Sequence, residues 1–112
     1  MKKNIKVYID DILESIIKIE NYTNTLTKKD FHENTQVQDA VLRRLEIIGE
    51  AVKHIPLEFR KKYTKIPWEK IAGMRDILIH AYSRVNLERV WKVIKEDIFE
   101  LKNNILEMKE IL

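Results

Sequence analysis

Leu87-Glu88-Arg89-Val90-Trp91-Lys92-Val93-Ile94-Lys95-Glu96-Asp97-Ile98-Phe99-Glu100-Leu101-Lys102-Asn103-Asn104-Ile105-Leu106-Glu107-Met108-Lys109-Glu110-Ile111-Leu112 decides the fold class. Leu87, Val90, Trp91, Ile94, Ile98, Leu101, Ile105, Met108 and Leu112 recur at helical spacing, so one face is apolar to the end of the chain. The positions between them are mostly charged, which describes a solvated outer face with pairs such as Lys92–Glu96. Asn86 stands where an N-cap is expected.

The same period runs through the rest of the chain. Ile5, Ile9, Ile12, Ile16 and Ile19 recur at steps of four and three, with Leu13, Ile17 and Leu26 widening and extending the stripe. That helix loses definition around Thr23 to Thr25, and a polar connection from Thr27 to Thr35 follows. Val37, Val41, Leu45, Ile48, Val52 and Ile55 mark a second helix, which Pro56 stops. Gly49 inside it costs about 1 kcal/mol relative to alanine and suits close approach of another helix. Residues 57–66 read as a connection with one helical turn at Leu57 to Lys62. Pro67 opens a third helix in its first turn, where the missing N–H costs nothing, and Glu69 complements that N-terminus. Ile71, Met74, Leu78 and Ala81 form its inward stripe.

Composition agrees. The 112 residues include two glycines, two prolines and no cysteine, and 35% are charged. Frequent turns, and hence a β-sandwich, are excluded, as are disulfides and thiolate metal sites. The expected architecture is all-α: one domain over residues 1–112, an antiparallel four-helix bundle with outer helices that could each exceed 20 residues, or roughly 30 Å, and a shorter third helix. No h-region follows Met1-Lys2-Lys3 and no run nears the roughly 20 apolar residues of a membrane span, so a cytoplasmic protein is expected. The net charge of +3 does not by itself imply nucleic acid, but charge is concentrated. Arg60, Lys61, Lys62, Lys65, Lys70 and Arg75 face only Glu58 and Glu69 over the same span, a hint of an anionic partner.

Chemistry concentrates in Arg75-Asp76-Ile77-Leu78-Ile79-His80-Ala81-Tyr82. An arginine beside an imidazole that titrates near neutrality suits phosphate chemistry. At about 100° per residue Arg75 and Tyr82 share a face, Asp76 and His80 share another, and Arg75 and His80 diverge by about 140°. Convergence therefore needs the helix end, the following loop or a second protomer. RNA is cut without metal when its 2′-OH attacks the adjacent phosphate, given a base, an acid and a cation. Each chain holds one motif histidine, so a two-fold dimer with apposed third helices would supply two histidines and two arginines. Structural alternatives stand beside this one: His80 as a C-terminal dipole partner, Arg75–Asp76 in a surface ion-pair network, Tyr82 as a rim aromatic.

Pro67-Trp68-Glu69-Lys70-Ile71-Ala72-Gly73-Met74-Arg75 through Tyr82 resembles the motif segment of the HepT-like branch of the HEPN superfamily, which carries Arg, four residues, His, one residue, Tyr. Arg43 to Ala51 and Val90 to Ile94 are similar as well, so the resemblance spans essentially the whole chain. It implies a HEPN-type helical homodimer acting as an endoribonuclease toxin, with Arg75 and His80 catalytic at a composite site and Asp76 in support. It also implies a minimal nucleotidyltransferase antitoxin that adenylylates Tyr82, RNA as substrate, and no cofactor or metal. The rival reading is a non-catalytic substrate- or nucleotide-binding partner of a separate nucleotidyltransferase; a third is a plain dimerising helical adaptor. Elsewhere, His32 with Glu33 and His54 with Glu50 invite a metal reading, but without a second cluster an i,i+4 surface pair is favoured for Glu50–His54. Asp10, Asp11 and Glu14 read as decoration of an exposed face.

Overall fold

The computed structural model describes residues 4–73 and 86–111. Every regular element among them is helical. Helix α1 (Ile5–Thr23) begins where the Asn4 side chain accepts the Lys6 N–H at 3.0 Å. Its isoleucines at 9, 12, 16 and 19 are fully buried, as the spacing predicts. Its 19 residues fall just short of the expected length.

The connection expected from Thr27 to Thr35 is instead a short helix, α2 (Lys28–Glu33). Thr27 and Asp30 form a reciprocal capping box: the Thr27 hydroxyl accepts the Asp30 N–H and the Asp30 carboxylate accepts the Thr27 N–H, each at 3.1 Å. One apolar side chain, the fully buried Phe31, anchors it. Helix α3 (Thr35–Lys53) starts at Asn34, whose side chain accepts the Val37 N–H at 3.0 Å, and ends before Pro56 as expected. Helix α4 (Leu57–Lys62) coincides with the single turn expected there. Helix α5 is described over residues 68–73. Pro67 precedes it, its carbonyl accepting the Ile71 N–H, so proline stands one position outside the helix rather than at its first residue.

The last stretch is not one uniform α-helix. Helix α6 (Leu87–Lys92) passes into a π-helical turn, Val93–Asp97, before α7 (Ile98–Ile111). The Ile98 N–H reaches the Val93 carbonyl, the five-residue bond that defines such a turn. Among the described residues no ion pair joins Lys92 to Glu96; Lys95 instead sits over the Trp91 ring, 4.6 Å from its centroid.

Inter-helix contacts set the directions. The Tyr8 and His54 rings stack at 5.0 Å, placing the start of α1 against the end of α3. Lys109 meets Asp10 at 2.6 Å and Lys102 meets Glu20 at 3.0 Å, so α7 descends as α1 ascends. Helix α1 is therefore antiparallel to both. Buried Val41, Leu45, Ile48 and Val52 of α3 and Ile98, Leu101, Ile105 and Met108 of α7 close one core with the α1 isoleucines. Each such side chain contributes about 1.5–3 kcal/mol on burial.

Candidate functional site

Arg75, Asp76, His80 and Tyr82 lie outside the described residues, as do Met74, Leu78 and Ala81 of the expected inward stripe. The structure instead defines the frame at both ends of their segment. Covalent reach keeps Arg75 within about 7 Å of Gly73, and His80 within about 22 Å of Asn86, measured between Cα atoms.

The entry end is rigidly held. Trp68 is 6% exposed, and its indole N–H donates to the carbonyls of both Arg60 and Tyr63 at 3.1 Å. Ile71, one turn on, is buried in the core. Arg60 turns back in the other direction: its Nε donates to the Ile55 carbonyl at 3.0 Å and its Nη2 to the Val52 carbonyl at 2.6 Å. A guanidinium thus closes the C-terminal end of α3, where carbonyls lack helical partners. Arg60 links α3, α4 and α5, with its Nε and Nη2 committed to the end of α3.

That changes the meaning of the basic stretch. Lys70 meets Asp97 at 3.4 Å, tying α5 to the π turn, and Lys65 lies 4.0 Å from Glu107. Lys61 and Lys62 are exposed and form no ion pair among the described residues. The concentration of charge is real, but three of its five described members, Arg60, Lys65 and Lys70, are engaged within the fold.

The exit end begins at Asn86, whose side chain accepts the Arg89 N–H at 3.1 Å, the cap expected from sequence. Helix α2 holds α6 in place. Phe31 packs against Trp91 with ring centroids 5.4 Å apart, and Lys28 meets Glu88 at 2.9 Å. The hydrogen bond and charge of Lys28 hold the exposed Glu88 carboxyl below the usual carboxylate range, with a smaller contribution from His32. Neither Phe31 nor Arg60 stood out in sequence as part of this frame; the capping-box spacing of Thr27 and Asp30 was the one readable signal for α2.

The other candidates resolve simply. His54 Nε2 lies 3.3 Å from Glu50 and its ring stacks on Tyr8, the surface pair favoured over a metal site. Among the described residues no group of three His, Cys, Asp or Glu side chains is placed to hold a metal ion. Asp10 pairs with Lys109 across helices and Glu14 with Lys18 along α1, so Asp10 is part of the packing rather than decoration. No helix among the described residues is long and apolar enough to cross a membrane.

The described residues form a helical domain in which α5 and α6, on either side of residues 74–85, are each anchored to the fold. Residues 12–108 match the family model described as ribonuclease HepT-like, and the chain belongs to that family. A Methanocaldococcus jannaschii protein named "Gamma-glutamylcyclotransferase and putative RNase" is 53% identical over 112 residues, covering 100% of this chain and 50% of its own length. The chain thus spans half of that relative. A Thermococcus cleftensis protein named "Probable ribonuclease HepT" is 44% identical over 110 residues, covering 98% of this chain and 100% of its own length. No solved structure matches the chain.

Proposed function

We propose that this chain is a metal-independent endoribonuclease toxin of a toxin–antitoxin pair, acting in the cytoplasm as a homodimer of one HEPN-like domain over residues 1–112. The observation that carries this reading is the Arg75, His80, Tyr82 spacing inside the span that matches the ribonuclease HepT-like family. Two histidines and two arginines meet at the dimer interface. One His80 takes the 2′-OH proton as the 2′ oxygen attacks the neighbouring phosphorus. The bond to the 5′ oxygen breaks, and the second His80 protonates that leaving group. Arg75 neutralises the charge that builds on the phosphorane oxygens. The products are a 2′,3′-cyclic phosphate and a 5′-hydroxyl. Asp76 orients His80 or Arg75.

Tyr82 is the regulatory handle. A minimal nucleotidyltransferase antitoxin brings ATP to it; the phenolic oxygen attacks the α-phosphate, pyrophosphate leaves, and the proton passes to solvent. The adenylate then sets negative charge and bulk beside the phosphate-binding arginine, opposing RNA by charge and by shape.

The test is cleavage of single-stranded RNA in excess EDTA by purified protein. Activity lost in both Arg75→Ala and His80→Ala, with folding retained, is the expected result. Cleavage that survives both substitutions rejects the site. Absence of any cleavage by the unmodified wild-type dimer favours the rival reading, a non-catalytic partner of a nucleotidyltransferase.

A further inference from the structure

Immediately after the motif segment the surface opens into a groove of about 760 Å³ that begins at Asn86 and runs along α6 and the π turn. Its wall carries Trp91 with the exposed cations Arg89, Lys92 and Lys95. Of the two acids there, Glu88 is engaged by Lys28 at 2.9 Å, which leaves Glu96 against the three cations. Trp91 is half-buried and seated on the fully buried Phe31, so its indole is fixed from below. The Lys95 ammonium lies 4.6 Å from its ring centroid. A fixed aromatic face among cations is the combination that binds single-stranded nucleic acid: bases stack, and lysines and arginines take the phosphates. The π turn lies within this wall, and π turns occur often at functional sites.

We propose that Trp91, Arg89, Lys92 and Lys95 form a strand-holding subsite for the RNA substrate, a base stacking on Trp91 in the place the Lys95 ammonium holds in this structure, with Lys95 turned aside to join Arg89 and Lys92 on flanking phosphates. This rests on the ribonuclease reading. His80 is six residues before Asn86, so its Cα lies within about 22 Å of the Cα at the start of the groove. The subsite binds strand rather than sequence, because every base presents a stacking face.

The experiment measures binding of a single-stranded 2′-O-methylated oligonucleotide, which has no free 2′-OH to attack, to the wild-type protein at several salt concentrations. Quenching of tryptophan fluorescence on binding is expected, because Trp91 stacks whereas Trp68 is buried. Lys92→Ala/Lys95→Ala, two exposed changes that leave the core intact, should weaken binding and lower the salt slope by about 1.4, at 0.7 per phosphate contact. Trp91→Leu should weaken binding roughly 5- to 150-fold and abolish the quenching. Wild-type affinity and salt slope in the double lysine variant would overturn the subsite. In that case cleavage of ordinary RNA by the wild type still upholds the ribonuclease reading. A wild type that neither binds nor cuts RNA overturns both.

Discussion

Arg60→Met separates two uses of one cation. Sequence places Arg60 in a basic stretch that invites an anion; the structure spends its guanidinium on the carbonyls of Val52 and Ile55. Methionine keeps much of the aliphatic stem and removes both bonds. A hydrogen bond to a charged group contributes about 1.5–3 kcal/mol. The two losses are unequal. The Val52 carbonyl retains the His54 and Ile55 N–H groups, so its loss is set at about 1 kcal/mol. Ile55 is 2% exposed, and its carbonyl loses its side-chain donor, at about 2 kcal/mol. The sum is roughly 3 kcal/mol, equivalent to a fall in Tm of about 9–15 °C for a chain of this size. Urea unfolding followed by far-UV circular dichroism, at one protein concentration because an oligomer's stability depends on it, gives the number. An unchanged m-value with a midpoint lowered by that amount supports the cap. A loss under about 0.5 kcal/mol together with weakened RNA binding would falsify it and return Arg60 to the anion-binding surface.

Three further outcomes follow from the same structure. Phe31→Ala should cost about 3–5 kcal/mol in urea unfolding, because a fully buried ring anchors α2 to α6, whereas Phe99→Ala, at 60% exposed, should change stability by less than about 0.5 kcal/mol. Glu88 should titrate below ordinary carboxylates by NMR; its folded pKa is depressed, so its contribution is present above the unfolded value and lost as pH falls through the folded one, and Lys28→Met should move it back up. Intact mass after co-expression with the nucleotidyltransferase and ATP should rise by one or more adenylate units, and an equal rise in Tyr82→Phe would remove that tyrosine from the account.

Much of this fold is legible in the sequence because its long helices obey a single period. The isoleucine stripe of α1, the α3 stripe ending before Pro56 and the Asn86 cap all depend on residues within about one turn of each other. Helix α2 escaped because six residues with one apolar anchor show no period; the Thr27–Asp30 box was the only local cue. The π turn has no glycine or proline to announce it within Val93–Asp97, and nothing in its local sequence distinguishes it from the flanking helix. Arg60 was read as charge because its partners lie five and eight residues away, beyond any capping spacing. At the candidate site the residue types and spacing are legible, while the proposed convergence of Arg75 with His80 is not: on a regular helix five residues would separate them by about 140°.

Analysis of the RNA ends tests the central claim most directly. Wild-type protein, free of adenylate and in excess EDTA, should leave 2′,3′-cyclic phosphates and 5′-hydroxyls, and His80→Ala should leave none. Fragments bearing 5′-phosphates, or cleavage that appears only on adding a divalent metal, would contradict attack by the 2′-OH at Arg75 and His80.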